Sequence, residues 1–345
     1  MKFLRKILYP FSLLYGAITS LRNTLYNKAI LKSTSFDIPT IVVGNLSVGG
    51  TGKTPQIEYL VTLLKNKYKV AILSRGYKRK SSGFVLAEEG VTAEIIGDEP
   101  FQYFRKFKNV QVCVDADRVH GIEQLKKLSS PPDVVLLDDA YQHRKVQGGF
   151  NILLTPYNDL YVDDAMLPTG NLREHISGAE RAQIIIVTKC PPELSEKEQF
   201  KTAQKLHPTV YQTVFFTTIK YDDVLQGPEK ITLQELKNYE VLLVTGIANP
   251  QPLINLLTTK EIAFKHLQYT DHHNFTEKEI DEIKTAFIAL PSNKKIILTT
   301  EKDYVRIFAN IENLYCITIQ TQFINHKNDF DNIINAYVER SSGNS

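Results

Sequence analysis

The stretch TIVVGNLSVGGTGKTPQIEYLVTLL, residues 40–64, decides the fold. It opens with a β-branched apolar run, passes through a glycine-rich loop, and continues with apolar residues at positions 57, 60, 61 and 64, which share one face of a helix. The pattern predicts a strand, a loop and an amphipathic helix in direct succession. This is the setting in which a glycine-rich loop binds phosphate, because the helix N-terminus presents backbone N–H groups to an anion.

The loop carries the residue types expected of a nucleotide triphosphate site. Its backbone N–H groups can wrap a β-phosphate, Lys53 can reach the β- and γ-phosphates, and the Thr54 hydroxyl can hold Mg²⁺. The pattern departs only at Ser47, where glycine is usual and a small residue can serve. The predicted nucleotide-binding residues are Ser47, Val48, Gly49, Gly50, Thr51, Gly52, Lys53 and Thr54.

From residue 38 onward, short β-branched runs alternate with helical patterns. This alternation predicts an α/β fold with a doubly wound, mainly parallel sheet that carries helices on both faces. We assign residues 36–220 to this P-loop core, residues 221–239 to a linker and residues 240–345 to a second, smaller α/β domain. The run AEII, residues 93–96, is predicted to be a strand, and the GDEP that follows it a loop.

The N-terminal arm, residues 1–35, differs in charge from the rest of the chain. It holds six basic side chains and no acid, which leaves 35 basic against 38 acidic side chains in the body. Apolar residues recur near a 3.6 period, so an amphipathic helix is predicted. Its longest uncharged run, residues 7–21, is 15 residues long, short of the ~20 that span a bilayer.

Two interpretations of the arm stay open. It can lie on a membrane surface with its basic side chains on anionic lipid, or it can simply pack on the body. A secretory signal is disfavoured, because Pro10 interrupts the apolar stretch and a nucleotide-using enzyme finds little substrate outside the cytosol.

Charge and cysteine content argue against several other classes of protein. The body is slightly acidic, whereas a nucleic-acid binder usually spreads positive charge over a working face, so no nucleic-acid partner is predicted. The three cysteines are odd in number and widely spaced, which suggests neither a disulfide framework nor a zinc site. A reducing cytosol is the expected compartment, and no obligate protein partner is indicated.

Acidic residues after a later apolar run extend the predicted site. DVVLLDD ends in Asp138 and Asp139, which we predict to organise Mg²⁺ on the triphosphate. The sequence TKCP, residues 188–191, lacks the aspartate of the guanine-selective [NT]KxD motif. ATP is therefore favoured over GTP.

A kinase must also present a carboxylate or a base to an acceptor hydroxyl near the γ-phosphate. GDEP supplies Asp98 and Glu99, and TDHHNF, residues 270–275, places His272 and His273 in a loop of the second domain. Domain closure could bring that loop over the nucleotide, so the two motifs favour a kinase. A P-loop kinase or ligase of a small soluble metabolite and a non-enzymatic switch ATPase remain the alternatives.

With these motifs in place, the chain resembles the tetraacyldisaccharide 4′-kinases over nearly its whole length. The blocks that carry the resemblance are VGNLSVGGTGKTP, LSRGYKRK, GDEP, DADRVHG, LLDDAYQHR, LPTGNLRE, VTKCP, TGIANP, YTDHHNF and TTEKDYVR, in that order. This family phosphorylates a lipid A precursor at the cytoplasmic face of the inner membrane of Gram-negative bacteria. The resemblance implies ATP and Mg²⁺ as cofactors, a tetraacyldisaccharide 1-phosphate as lipid substrate, and peripheral attachment to the inner-membrane surface.

The resemblance also implies roles for individual residues. Asp98 acts with His272, or with the adjacent His273, to accept or relay the proton of the 4′-hydroxyl. Glu99 joins Asp138 and Asp139 in organising Mg²⁺. The residues implied to contact the substrate or to line the site are Arg75, Tyr77, Arg118, Gln142, His143, Asn171, Arg173, Glu174 and His273.

Overall fold

Residues 5, 7–271, 273–307 and 311–342 are described by a computed structural model of the chain. Their helices and strands follow in this order: α1 (Tyr9–Asn27), β1 (Thr40–Asn45), α2 (Lys53–Leu64), β2 (Val70–Ser74), β3 (Val85–Leu86), α3 (Ala93–Ile96), α4 (Asp98–Lys106), β4 (Gln111–Val114), α5 (Arg118–Lys126), β5 (Val134–Asp138), β6 (Phe150–Pro156), β7 (Ile184–Thr188), α6 (Glu196–Leu206), β8 (Thr213–Tyr221), β9 (Glu240–Thr245), α7 (Gln251–Thr259), β10 (Phe264–Gln268), α8 (Glu277–Ile288), β11 (Lys295–Thr300), α9 (Glu301–Ile307), β12 (Leu314–Ile317), β13 (Ile319–Phe323) and α10 (Lys327–Ser342).

A large sheet with β1 near its centre organises the first unit. Within the described residues its order is β13-β8-β7-β6-β1-β5-β2-β4-β3. The edge strands β3 and β13 pair antiparallel, and the strands between them pair in parallel. Every residue of β1 and β5 is buried, as expected for central parallel strands covered on both faces. The predicted doubly wound sheet is confirmed, and the carboxyl ends of β1, β5 and β7 meet at one edge.

The second sheet is smaller and all parallel, with the order β10-β9-β11-β12. Its two faces are covered by α7, which buries Leu253 and Leu257, and by α8, which buries Ile283. The predicted second α/β unit is therefore present in the described part of the chain.

The last strand and the last helix leave this second unit. β13 pairs with β8 at the edge of the large sheet, and α10 buries Phe330, Ile334 and Val338 in the same core as β1. The sequence-based division placed everything after residue 240 in the smaller domain, so its final boundary differs from the observed packing. Hydrophobic periodicity predicts which face of a helix or strand is buried. It carries no information on which of the two sheets that helix or strand packs against.

The run AEII is a short helix, α3, so the prediction of a strand there is wrong. A four-residue apolar run does not distinguish the two structures, and Gly97 ends the run in a left-handed conformation (φ 95°) that separates α3 from α4. Asp98 and Glu99 consequently lie in the first turn of α4 instead of a loop.

We expect Phe330→Ala to destabilise the large unit by ~3–5 kcal/mol, because Phe330 is fully buried and packs on Phe323, Phe215 and Tyr59. Urea unfolding followed by circular dichroism measures the effect. Phe200→Ala is the matched control, since Phe200 is 64% exposed. Equal stability of the two variants would show that α10 does not belong to this core.

Candidate active site

The glycine-rich loop joins β1 to α2 at the carboxyl edge of the large sheet. Gly49 and Gly52 adopt left-handed conformations (φ 109° and 91°), which a side chain would strain. Gly52 is the N-cap of α2, and the first turn of this helix carries no acidic residue. The N-terminal N–H groups of α2 are therefore presented to an anion, as the loop sequence predicts.

Neighbouring segments hold the loop from two sides. The amide of Val48 donates to the carbonyl of Asn171 (2.8 Å). Across the loop, the Thr188 hydroxyl donates to the carbonyl of Thr51 (2.7 Å), and Lys189 Nζ donates to the carbonyl of Gly50. Sequence reasoning used Thr188 and Lys189 only to judge base selectivity. Their position at the end of β7, two strands from β1, is the signal that could have identified them as supports of the loop.

Lys53 meets the acidic pair at the end of β5. Its Nζ lies 3.5 Å from a carboxylate oxygen of Asp139 and 3.2 Å from the side-chain oxygen of Asn45. Arg173 Nη1 donates to both oxygens of Asp139, at 3.0 and 3.2 Å. Burial alone would raise the pKa of Asp139, but the Lys53 and Arg173 cations outweigh it and lower that pKa.

Asp138 has the opposite electrostatic setting. It is 1% exposed, and burial, together with the nearby Glu99 and Asp139 carboxylates, raises its pKa to about 7. Its Oδ2 lies 3.4 Å from the hydroxyls of Ser74 and Tyr103, while Oδ1 has no hydrogen bond to any described residue. An unsatisfied buried carboxylate oxygen costs free energy unless a cation or donor completes it.

The carboxylates of Asp138 and Glu99 are ligands that fit Mg²⁺. The ion usually binds one or two carboxylates and fills its other positions with water and phosphate oxygens. Asp138 has an unsatisfied oxygen, and Glu99 is close enough to perturb its pKa. The described residues contain no group of three acidic, histidine or cysteine side chains that could hold a metal unaided. Asp139 is engaged by Lys53 and Arg173, so its predicted part in holding the metal stays a prediction.

The second group of predicted catalytic residues lies where α4 faces the small domain. Asp98 is the first residue of α4, and its carboxylate accepts hydrogen bonds from Arg306 of α9 at 2.7 and 3.0 Å. The block TTEKDYVR ends in Arg306, but the sequence analysis gave this residue no role. His272 lies outside the described residues, while His273 bonds to Glu279 (2.9 Å) and packs on Tyr269.

The cationic residues of the predicted site divide into buried and exposed sets. Arg118 is 2% exposed and donates to the backbone carbonyls of Asp115 and Asp138. These hydrogen bonds fix the end of β5. Burial lowers the pKa of the Arg118 guanidinium to about 10. Burial, followed by Arg118 and Arg75, lowers the pKa of His143 to about 4, so its ring is neutral at pH 7. Arg75 and Tyr77 are exposed at the rim.

The buried Glu174 is the centre of a hydrogen-bond network. It is 3% exposed and accepts hydrogen bonds from Gln142 (3.0 Å), Arg181 (2.8 Å) and Asn23 of α1 (2.7 Å). Gln142 in turn donates to the carbonyl of Asn45 at the start of the loop. The arm is thereby connected to the phosphate-binding loop through two side chains.

Helix α1 packs on the body through its polar face. Ser12 bonds to Thr169 (2.7 Å), Tyr15 donates to the carbonyl of Arg173 (2.9 Å), and Arg22 donates to the carbonyl of Gln142 (3.1 Å). The opposite face leaves large apolar side chains between 58% and 62% exposed, namely Phe11, Leu13, Leu14, Ile18 and Leu21, and Ile7, just before the helix, is 67% exposed. No helix among the described residues has the length and apolarity to cross a bilayer.

A glycine-rich loop on a central parallel strand, a lysine at its helix, and an aspartate pair at the end of the adjacent strand define an α/β enzyme of the P-loop class. The carboxylate at the start of α4 and the histidine-bearing loop of the second unit are the groups that the sequence predicts to act on an acceptor hydroxyl.

Comparison with known proteins identifies the family. The family described as Tetraacyldisaccharide-1-P 4'-kinase matches residues 4–339. A tetraacyldisaccharide 4'-kinase of Flavobacterium johnsoniae is 55% identical over 344 residues, 99% of each chain, and one of Phocaeicola vulgatus is 44% identical over 99% of this chain and 97% of its own. Crystalline LpxK from Aquifex aeolicus, in complex with ATP, is 32% identical, with a TM-score of 0.78 over 97% of this chain and 99% of its own. The chain belongs to the tetraacyldisaccharide-1-P 4′-kinase family, which confirms the resemblance drawn from its motifs.

We expect Glu174→Ala to destabilise the protein by about 3 kcal/mol, because it leaves Arg181 without its buried partner and releases Asn23. Thermal unfolding measures the loss, and hydrogen exchange in α1 should become faster. Glu180→Ala, at an exposed position six residues away, is the control and should change little. Unchanged exchange in α1 would mean that Glu174 does not hold the arm.

Proposed function

We propose that this chain transfers the γ-phosphoryl group of ATP to the 4′-hydroxyl of a tetraacyldisaccharide 1-phosphate. The observation that carries the proposal is the contact of Lys53 with Asp139, next to the buried Asp138, at the carboxyl edge of the large sheet. The names of the relatives support the substrate, and the ATP complex of the Aquifex aeolicus protein supports the nucleotide.

The loop residues bind and neutralise the triphosphate. The backbone N–H groups from Gly49 to Lys53 surround the β-phosphate, with the N-terminus of α2 directed at it. Lys53 leaves Asp139 and Asn45 for the phosphate oxygens, where its charge stabilises the transition state. Arg173 keeps the partly exposed carboxylate of Asp139 paired after that exchange.

Thr54, Asp138 and Glu99 are the residues that would hold Mg²⁺, with Asp139 beside them. When bound there, Mg²⁺ supplies positive charge to the β- and γ-phosphate oxygens. Burial and the neighbouring Glu99 and Asp139 carboxylates raise the pKa of Asp138, and a bound cation would favour its ionised form.

Asp98 and His272 act on the acceptor. Asp98 accepts the hydrogen bond of the 4′-hydroxyl and aligns its oxygen with the γ-phosphorus, and His272 takes or relays the proton. Since His273 is engaged with Glu279, His272 is the ring we assign to this task. Arg75, Tyr77 and His143 lie on the substrate side, where an exposed guanidinium, a phenol and a neutral imidazole can contact a phosphorylated sugar.

We expect transfer of ³²P from γ-labelled ATP to a tetraacylated diglucosamine 1-phosphate in detergent micelles. Lys53→Ala should lower kcat ~10²–10³-fold through the lost charge stabilisation, and Asp98→Ala ~10²–10⁴-fold through the lost base or aligning group. Lys278→Ala and Asp329→Ala remove exposed charges elsewhere and are the matched controls. Intact ATP hydrolysis without any labelled lipid would contradict the proposal and favour a soluble acceptor or a switch ATPase.

We further propose that α1 attaches the enzyme peripherally to the cytoplasmic face of the inner membrane. A helix that packs on its own protein normally buries its apolar face, whereas α1 buries Ser12 and turns Phe11, Leu14 and Ile18 outward. A lipid surface is the environment in which such a face gains free energy, and it also holds the acyl chains of the substrate. Arg22, one of the six basic side chains of the arm, donates to the body, so the proposal rests on the exposed apolar face.

The combined substitution Phe11→Ser, Leu14→Ser and Ile18→Ser should lower partitioning onto phosphatidylglycerol vesicles at least ~10-fold, since each apolar side chain contributes about 1.5–3 kcal/mol when fully buried. Vesicle co-sedimentation measures it. The control replaces three exposed apolar residues outside the arm with serine: Phe200, Val210 and Tyr211.

Equal binding of the wild type and the α1 variant would overturn the membrane role. The polar side chains that connect α1 to the site are retained in this variant, so its kinase activity on micellar substrate tests separately whether the site is intact. Deleting residues 1–32 would not make this distinction, because it also removes Asn23 from Glu174.

A further inference from the structure

The carboxylate of Asp98 is held by the small domain. Arg306 of α9 donates from Nη2 and Nε to the same Asp98 oxygen, Oδ2, at 2.7 and 3.0 Å. The Arg306 side chain is 4% exposed and that of Asp98 is 32% exposed, so the ion pair is partly buried where α4 meets α9. Oδ1 of Asp98 receives no hydrogen bond from a described residue, which leaves this oxygen for an acceptor hydroxyl.

The guanidinium of Arg306 is itself fixed from behind. Its Nη1 lies 3.3 Å from Oδ1 of Asp303, a carboxylate with no exposed surface. Asp303 also accepts hydrogen bonds from the amide of Gly246 and the hydroxyl of Thr300, both at 2.8 Å. The buried Arg306 side chain lies between two carboxylates, and one of them, that of Asp303, also accepts a backbone hydrogen bond. The guanidinium therefore has little freedom to reorient.

The same network reaches the histidine-bearing loop. Gly246, which donates to Asp303, is packed so closely that an added Cβ would lie 3.3 Å from the Cβ of His273 and 3.3 Å from the carbonyl of Thr270. Thr270 and His273 of this loop and the carboxylate of Asp98 are therefore positioned against the same group of contacting residues, although they belong to different units of the fold.

We infer that Arg306 is a positioning residue of the phosphoryl transfer, which holds Asp98 in register with the histidine loop and joins the two units of the enzyme at the reacting centre. The inference rests on the role proposed for Asp98. An arginine suits this task because its planar guanidinium bonds Asp98 and Asp303 at once, which the single ammonium of lysine cannot reproduce. Displacement of an aligning group by about 1 Å can cost ~10²-fold in rate.

The test is a double-mutant cycle on kcat with the wild type, Arg306→Gln, Asp98→Asn and the double variant, assayed with ATP and micellar tetraacyldisaccharide 1-phosphate. Arg306→Gln should lower kcat ~10–100-fold and change the KM for ATP by less than ~3-fold, because the loop and Lys53 are untouched. In the Asp98→Asn background the same substitution should have almost no further effect, because it has no aligned carboxylate to displace.

Two variants separate positioning from structural damage. Arg306→Lys keeps the buried positive charge and should fold with a thermal midpoint near that of the wild type, yet recover only part of the lost kcat. Arg105→Gln is the matched control in the same interface, since Arg105 of α4 lies over the ring of Tyr304 of α9, 5.2 Å from its centroid. It should leave kcat within ~2-fold. If Arg306→Gln does not fold, the Arg306→Lys variant alone and in the Asp98→Asn background supplies the cycle.

The outcomes distinguish this inference from the proposed function. A large loss in Asp98→Asn with full activity in Arg306→Gln and Arg306→Lys overturns the inference and leaves the kinase proposal standing. Losses that multiply in the double variant also overturn it, because Arg306 would then act by a separate route. Full activity in Asp98→Asn overturns the role of Asp98 and, with it, the inference.

Discussion

The contact between Lys53 and Asp139 is the interaction on which the site depends. It exists because β1 and β5 are parallel neighbours in a register that sets Val43 opposite Asp138, so the loop after one strand and the acids after the other emerge side by side. The lysine offsets the charge of Asp139, Arg173 does the same from the other side, and Asp138 remains the carboxylate with a raised pKa and an unsatisfied oxygen. The phosphate and metal sites that we propose, and the position of Arg173, all depend on this one juxtaposition.

The sequence predicts the features that are encoded locally. The strand, loop and helix around Lys53 arise from neighbouring residues, and the acids at the end of β5 follow from a single apolar run, so both were placed correctly. The return of β13 and α10 to the large sheet, and the ion pair of Asp98 with Arg306, join residues far apart in the chain. Short-range periodicity carries no information on such pairings, and the run AEII is too short to separate helix from strand.

The sequence predicted that α1 is an amphipathic helix, and the structure shows which of its faces packs on the protein. Its amphipathic pattern was readable, and the pattern alone allowed either a membrane surface or the protein body as its partner. In the structure the polar face of α1 forms hydrogen bonds with the body through Ser12, Tyr15 and Asn23, and the apolar face points outward. Because Asn23 bonds Glu174, and Gln142 links Glu174 to the backbone of Asn45, the arm also stabilises the base of the phosphate-binding loop. A short chain of hydrogen bonds thus joins the helix that we propose to attach to the membrane with the loop that we propose to bind ATP.

The measurement that tests the account most directly is a crystal structure of this chain with Mg²⁺ and a non-hydrolysable ATP analogue. The account predicts that Lys53 Nζ moves from Asp139 to the β- and γ-phosphate oxygens, that Arg173 stays on Asp139, and that Mg²⁺ lies with Thr54 and a carboxylate of the Asp138–Glu99 pair, with inner-sphere oxygens at about 2.1 Å. Phosphates bound away from the loop, with Lys53 still paired to Asp139, would contradict it.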